Sequence, residues 1–136
     1  MNRSKPGPRP DPSKPYSRHR EDVRETVWLP PMGCEDPPPD LPPGRTWSDA
    51  EGEIWRGLWA SPAASQWDES MMPVVAALVV ATSTILSGPR PSAQLIGEVR
   101  ALTDSLGLTP AAMSRLGWRV GEPAEAQVYS INGERR

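Results

Sequence analysis

Asp49, Glu51 and Glu53 form a group of carboxylates whose spacing could hold a metal ion. They stand at the predicted start of a helix, where carboxylates are stabilised by the positive end of the helix dipole. The single histidine is His19, and no lysine follows Lys14. The later part of the chain therefore offers no histidine base and no lysine nucleophile, and the sequence contains no GxxxxGK[ST] phosphate loop. We predict a protein without enzymatic activity, metal site or cofactor.

Arginine and lysine side chains are the other candidate functional groups, because they can contact nucleic-acid phosphates. Residues 1–20 carry six basic residues against one acidic residue, whereas residues 21–46 carry six acidic residues against two arginines. By charge alone, we predict DNA or partner contacts at Lys5, Arg9, Lys14, Arg18 and Arg20 in this basic arm, and at Arg90, Arg100, Arg115 and Arg119 further along the chain. A solubilising role explains the charges of the arm equally well.

Proline divides the chain into three parts. Twelve of the 18 prolines precede Trp47, with few large apolar side chains between them. Such a segment buries too little apolar surface to offset the conformational entropy lost on folding, so we predict that residues 1–45 are disordered. Residues 46–120 are predicted to form the folded domain, and residues 121–136 a flexible tail.

The start of the folded domain is typical of a helix. Ser48 and Glu51 have the spacing of a capping box, which predicts that a helix begins there. The pair Ser61–Pro62 predicts its end, because a residue before proline avoids the helical conformation. A second helix is predicted from near Asp68 to Leu86. With the two further helices below, the sequence predicts an all-α fold of three to four helices.

The stretch from Ser92 to Trp118 predicts a corner between two helices. A third helix runs to Leu106, and Gly107 supplies the left-handed residue that closes it. Thr109 is a favourable N-cap and Pro110 a favourable first residue for a short fourth helix. In a DNA-binding helix–turn–helix the second helix enters the major groove. Because the fourth helix is short, we favour a corner that serves packing over one that reads DNA bases.

The second helix, from Met71 to Leu86, is apolar on most of its sides. A helix of this kind is buried on most sides, so one face packs in its own domain and the other is predicted to pack on a neighbouring copy. A foldable segment of this size is marginally stable alone, which also favours a homo-oligomer. The predicted interface residues are Trp55, Trp59, Val74, Leu78, Val80 and Ile85. A membrane span is less favoured, because the strongly apolar run ends at Ala81 and spanning takes about 20 residues.

Three stretches together resemble the small terminase subunit of tailed double-stranded-DNA phages, with the versions from phages of actinobacteria as the nearest in pattern. They are RTWSDAEGEIWRGLWASPAASQWDES, the central apolar helix and EVRALTDSLGLTPAAMSRLGWRV, which together cover Arg45 to Val120. The most specific part is Leu-Gly-Leu-Thr-Pro at 106–110 followed by Arg-Leu-Gly-Trp at 115–118. The spacing of Trp55, Trp59 and Ser61–Pro62 supports the resemblance.

The resemblance implies a non-enzymatic all-α protein that forms a ring-like homo-oligomer in the host cytoplasm. Such a protein recognises viral DNA and recruits or regulates the large terminase subunit, which carries the ATPase and the nuclease. Two alternatives remain open: a structural adaptor of the head–tail connector type, and a helix–turn–helix DNA-binding regulator. A large terminase gene immediately downstream would favour packaging, whereas a longer, arginine-rich recognition helix would be expected of a regulator.

Overall fold

The computed structural model describes residues 25–123. In this part of the chain it has four α-helices: α1 (Asp49–Trp59), α2 (Met72–Ser87), α3 (Ala93–Ser105) and α4 (Pro110–Leu116). Two 3-10 turns, Pro62–Gln66 and Glu69–Met71, join α1 to α2, and two short strands, β1 (Val27–Leu29) and β2 (Trp118–Val120), complete the fold. The mainly helical architecture is confirmed. The prediction of an all-α class is corrected, because β1 and β2 pair as a parallel sheet.

Helix α1 begins and ends where the sequence predicts. The Ser48 Oγ accepts a hydrogen bond from the Glu51 backbone N–H at 3.1 Å, and the Glu51 carboxylate accepts one from the Ser48 N–H at 3.1 Å. This capping box satisfies two backbone donors that a helix start leaves unpaired. The helix ends at Trp59, just before the Ser61–Pro62 break.

The core lies between α1, α2 and the α3–α4 corner. Trp55 from α1, Val75 and Val79 from α2, and Leu106 at the end of α3 are almost fully buried and belong to one apolar cluster. The ring of Trp59 lies 5.6 Å from that of Trp55 and 5.3 Å from that of Trp67, which ties α1 to the first 3-10 turn. Large aromatic side chains supply much of the buried apolar surface of so small a domain.

Helix α2 is covered on one side only. Its buried residues are Val75, Leu78, Val79 and Ala81. They make up 22% of the most apolar 18-residue stretch of this helical segment. The segment Glu69–Ser87 is long and apolar enough to cross a membrane. Core helices of soluble proteins share that length and composition, so the helix does not indicate a membrane protein.

The structure corrects the prediction of disorder for residues 25–45, which we call the strap. Leu29 of the strap is fully buried, and β1 pairs with β2 in the register Val27 with Trp118 and Leu29 with Val120. Beyond β1, two proline carbonyls accept hydrogen bonds from indole N–H groups of the helical domain. Residues 1–24 and 124–136, which include most of the predicted arm and tail, lie outside the described residues.

Those indole bonds explain how a proline-rich segment is held without a large apolar surface. The Trp55 indole donates to the Pro39 carbonyl at 2.7 Å, and the Trp47 indole donates to the Pro42 carbonyl at 2.9 Å. Proline lacks an N–H but keeps its carbonyl acceptor, and residues three apart recur on one side of a polyproline II helix. The strap is therefore fixed by two indole donors, those of the buried Trp55 and the half-buried Trp47.

The strap also closes the end of α1. Gly33 has a φ of +91°, and a Cβ at this position would lie 2.1 Å from the Ala60 carbonyl oxygen. That carbonyl accepts a hydrogen bond from the Cys34 N–H at 3.1 Å, which satisfies one of the acceptors left free at a helix C-terminus. Only glycine allows the two backbones to approach so closely.

Candidate nucleic-acid interface

The α3–α4 corner is built as the sequence predicts. The Thr109 hydroxyl accepts a hydrogen bond from the Ala112 N–H at 3.1 Å, and Pro110 is the first residue of α4. Gly107 has a φ of +73°, the left-handed conformation expected just after the end of α3. These local features turn the chain between two helices within four residues, Leu106 to Thr109.

Tryptophan side chains fix the corner from two sides. The Trp118 ring packs against Gly107, where an added Cβ would lie 2.2 Å from a ring carbon. The Trp67 indole donates to the Leu106 carbonyl at 3.0 Å, which attaches the corner to the first 3-10 turn. Gly107 therefore has two reasons to be glycine: its positive φ and the contact with Trp118. The corner is a rigid platform for the polar side chains on its surface.

Asp104 connects the two helices of the corner. One of its carboxylate oxygens accepts a hydrogen bond from the Thr109 hydroxyl at 3.2 Å, and the other pairs with the Arg115 guanidinium at 3.1 Å. The side chains of Arg115 and Asp104 are 59% and 41% exposed, so water screens this pair and it contributes little to stability. The role of Asp104 is not predictable from sequence, because it and Arg115 lie on different helices, 11 residues apart.

The structure places two of the four predicted arginines of the described region, Arg100 and Arg115, at this corner. Arg100 and Asp104 line an open cleft of about 420 Å³ that also involves Gly97, Ala101, Thr109 and Ala111. Arg119 follows Trp118 in β2 and is exposed, as are Arg100 and Arg115. Arg90 is exposed but lies before the first residue of α3, a helix about 20 Å long, and therefore at the other end of it from the corner. Lys5, Arg9, Lys14, Arg18 and Arg20 lie outside the described residues.

Charge is distributed unevenly between two regions of the described chain. Residues 25–89 carry nine acidic residues against two arginines, a net charge of −7. Residues 90–123 carry four arginines against three acidic residues, a net charge of +1. Residues 90–123, which form α3, α4 and β2, are therefore the part of the described chain without an excess of negative charge.

Two of the three carboxylates at the start of α1, Glu51 and Glu53, have structural partners. Glu51 closes the capping box and pairs with Arg45 at 3.2 Å, while Glu53 pairs with Arg56 on the same helix. Arg45 also lies over the Trp47 ring, with its guanidinium carbon 4.7 Å from the ring centroid. Among residues 25–123, no three His, Cys, Asp or Glu side chains are grouped so that they could hold a metal ion.

The predicted oligomer residues fall into two groups. Trp55, Trp59 and Leu78 are buried inside the protomer, with 2%, 8% and 2% of their surface exposed. Val74 and Ile85 are half-buried. Val80 is half-buried too, and it lines an open groove of about 440 Å³, which we call the α2 groove. Its other lining residues are Pro43, Gly44, Arg45, Trp47, Pro73, Ala76 and Ala77.

Comparison with known proteins gives one match. The sequence model of a family described as phage terminase small subunit matches residues 5–133, which is most of the chain. No curated protein and no solved structure matches.

Proposed function

Because this chain belongs to the phage terminase small subunit family, we propose that it is a non-enzymatic DNA-packaging protein. In this role it binds viral double-stranded DNA and recruits or regulates the large terminase subunit in the host cytoplasm. The observation that carries the DNA-binding part is the group of exposed arginines at the α3–α4 corner, in the one region of the described chain that is not acidic.

One protomer binds DNA weakly under this proposal. Arg100 and Arg115 supply two positive charges at the corner and Arg119 supplies a third on β2, while Asp104 partly neutralises Arg115. Phosphate contacts of this number give low affinity that falls steeply with salt. An oligomer presents the same arginines several times on one DNA molecule, so weak contacts add through effective concentration.

Self-assembly through α2 is the second element of the proposal. The α2 groove contains small residues, Ala76 and Ala77, beside Val80, and α2 carries no charged residue along its length. Small side chains let a second helix approach closely, and an apolar surface that the protomer leaves uncovered favours burial against another protein surface. We propose a second copy as the occupant, with Val80 at the interface, whereas the predicted Val74 and Ile85 do not line the groove. Trp55, Trp59 and Leu78 support that surface from within.

The DNA-packaging role is tested with the purified full-length protein and its large terminase subunit. We expect salt-sensitive binding to double-stranded DNA, co-purification with the large subunit and no hydrolysis of DNA or ATP by this chain alone. Co-purification without DNA binding would restrict the role to recruitment. If neither binding is detected, the proposed function is wrong, and a ring that binds capsid or tail proteins instead would favour the connector-type adaptor. The single arginine in the seven residues of α4 gives no support to the regulator.

Self-assembly is tested by light scattering after size-exclusion chromatography. We expect an oligomer at micromolar concentration, and we expect Val80→Glu to dissociate it while circular dichroism stays helical. Ala93→Glu is the matched control, because this exposed residue lies at the start of α3 and away from the α2 groove. A monomeric parent protein, or an oligomer unaffected by Val80→Glu, would contradict an α2 interface.

A further inference from the structure

The strap contacts the helical domain at three separate places. β1 pairs with β2, and Leu29 of β1 is fully buried. The Cys34 N–H donates to the Ala60 carbonyl at 3.1 Å. The Trp55 indole donates to the Pro39 carbonyl at 2.7 Å. The surface formed by β2, Ala60 and Trp55, which we call the strap site, therefore binds an extended, proline-rich segment through contacts at fixed positions.

Residues 43–46, which we call the hinge, join this bound segment to α1. All four are exposed, and the backbone bends over residues 43–45. Gly44 has a φ of +109°, and a Cβ added there would meet no described atom within 4 Å. Pro42 and Pro43 favour an extended polyproline II backbone, so the bend depends on a glycine conformation that other residues rarely adopt. The hinge can therefore extend without exposing a buried side chain.

The hinge lies beside the surface that a second copy is proposed to cover. Pro43, Gly44 and Arg45 line the α2 groove together with residues of α2. A copy that fills this groove therefore contacts the hinge directly. Packed helices lie about 8–10 Å apart, whereas four extended residues span about 13 Å, so the hinge is long enough to cross such an interface. The strap thus leaves its own domain at the proposed boundary between two copies.

We propose that neighbouring copies exchange straps, so that in the oligomer each strap occupies the strap site of an adjacent copy. The inference rests on the self-assembly in the proposed function and deepens it, because each domain is then completed by β1 and Leu29 of another chain. The contacts made before the hinge, including the hydrogen bond from the Trp47 indole to the Pro42 carbonyl, form between two chains as they do within one. Exchange therefore changes only the hinge, which makes it a low-cost route to assembly.

Two effects favour exchange once α2 brings the copies together. The neighbouring strap site is then present at a high effective concentration, so binding between chains competes with binding within a chain. Consecutive prolines also favour an extended hinge over a bent one. The exchanged strap adds the buried side chain of Leu29 and three hydrogen bonds to an interface that the α2 groove would otherwise form alone.

The alternative is a strap that stays in the strap site of its own chain while copies assemble through α2. Both arrangements contain the same contacts, so removal of one contact does not separate them. They differ in whether Cys34 and Ala60, which meet at the end of α1, belong to one chain or to two. Cys34 is the single cysteine of the sequence, so Ala60→Cys adds one second thiol at this contact.

The test is Ala60→Cys in the full-length protein, oxidised while assembled and analysed on a denaturing gel without reductant. Backbones in hydrogen-bond contact lie within the separation that a disulfide bridges, and a short bismaleimide repeats the measurement over a longer reach. Peptide mass spectrometry identifies the link between positions 34 and 60. We expect a shift from the mass of one chain to that of several linked chains.

Two controls accompany this variant. The parent protein, with Cys34 alone, reports links between like positions of two chains. Ala60→Cys combined with Val80→Glu, which we expect to be monomeric, should give links within one chain only.

Each outcome decides the proposal. A link only within one chain, in a protein that light scattering shows to be assembled, would overturn strap exchange and leave the proposed function in place. A monomeric parent protein would overturn the exchange together with the α2 interface. Absence of any link between positions 34 and 60 with either reagent would show that the strap does not contact the end of α1, and would overturn the exchange as well.

Discussion

Residues 25–89 and residues 90–123 contribute to the same core but present different surfaces. The first region has a net charge of −7, buries Trp55 and Trp59, and holds the strap through indole donors. The second has a net charge of +1 and exposes all four of its arginines. One region thus provides most of the framework and the apolar α2 groove, and the other provides the side chains that nucleic acid would contact. Substitutions in the two regions should therefore affect different measurements.

The largest effect is expected from Trp55→Ala in the first region. The side chain is 2% exposed and its indole holds the strap through Pro39, so its removal leaves a cavity and an unpaired carbonyl. We expect the free energy of unfolding to fall by about 3–5 kcal/mol, measured by urea denaturation. Trp28→Ala, an exposed tryptophan, is the control and should cost far less. Equal losses would show that burial does not distinguish the two tryptophans.

The next largest effect is expected from a substitution in the strap. Leu29→Ala removes a fully buried side chain and should lower the free energy of unfolding by about 2–4 kcal/mol. Met32→Ala, three residues later and 93% exposed, should have almost no effect.

On the same reasoning, deleting residues 1–45 should destabilise the domain, whereas deleting residues 1–24 should not. A stable protein without residues 1–45 would show that the strap is dispensable.

Of these two regions, only the second should affect the affinity for DNA. Arg115→Gln with Arg119→Gln removes two phosphate contacts, and we expect about tenfold weaker binding at low salt, or about 1.4 kcal/mol. Fold and thermal stability should change little, because both side chains are exposed. Arg56→Gln is the matched control: an exposed arginine in the acidic region, paired with Glu53. A loss of the same size in the control would mean that the effect follows net charge and not position.

A smaller effect, of opposite sign, is expected from Asp104→Asn. Asparagine can still accept the Thr109 hydrogen bond but removes the negative charge that pairs with Arg115. We expect DNA binding to strengthen by a few-fold and the salt dependence to become steeper. Glu98→Gln removes one negative charge elsewhere on α3 and serves as the control. If both variants gain the same factor in DNA affinity, the release of Arg115 has no specific role.

The smallest effect concerns Asp68, ahead of α2. Hydrogen bonds from the Ser70 hydroxyl and backbone N–H hold the pKa of the Asp68 carboxyl below its usual value. A lowered pKa in the folded state stabilises the protein at pH values above the pKa that the same carboxyl has in the unfolded chain. This contribution is lost as the pH falls through the lowered pKa. We expect Asp68→Ala to lower the Tm slightly at neutral pH, by an amount that shrinks as the pH falls below about 4. A Tm difference that stays constant with pH would contradict this account.

Local signals account for the parts of the fold that the sequence predicts well. Ser48 and Glu51, or Thr109 and Pro110, act within three or four residues, and the structure forms both caps. Gly107 combines a positive φ with a break in the helical pattern, so the corner also was predictable.

Long-range contacts account for the parts that sequence reasoning missed. Three-residue strands have no readable periodicity, and the partner of Val27 is Trp118, far along the chain. The low apolar content of the strap wrongly suggested disorder, because the indoles of Trp55 and Trp47 donate hydrogen bonds to its proline carbonyls. The corner alone predicts that Arg100 and Arg115 lie near its two ends, but the pairing of Arg115 with Asp104 depends on how α3 and α4 pack.

Amide hydrogen exchange of the full-length protein, with and without double-stranded DNA, tests the central claim most directly. The claim is that the region of α3, α4 and β2 is the DNA-binding surface, while the strap, α1 and α2 are the framework. We predict that DNA slows exchange at the α3–α4 corner and in β2, and leaves the acidic start of α1 unchanged. Protection centred on α1 and the strap, with none at the corner, would contradict the account.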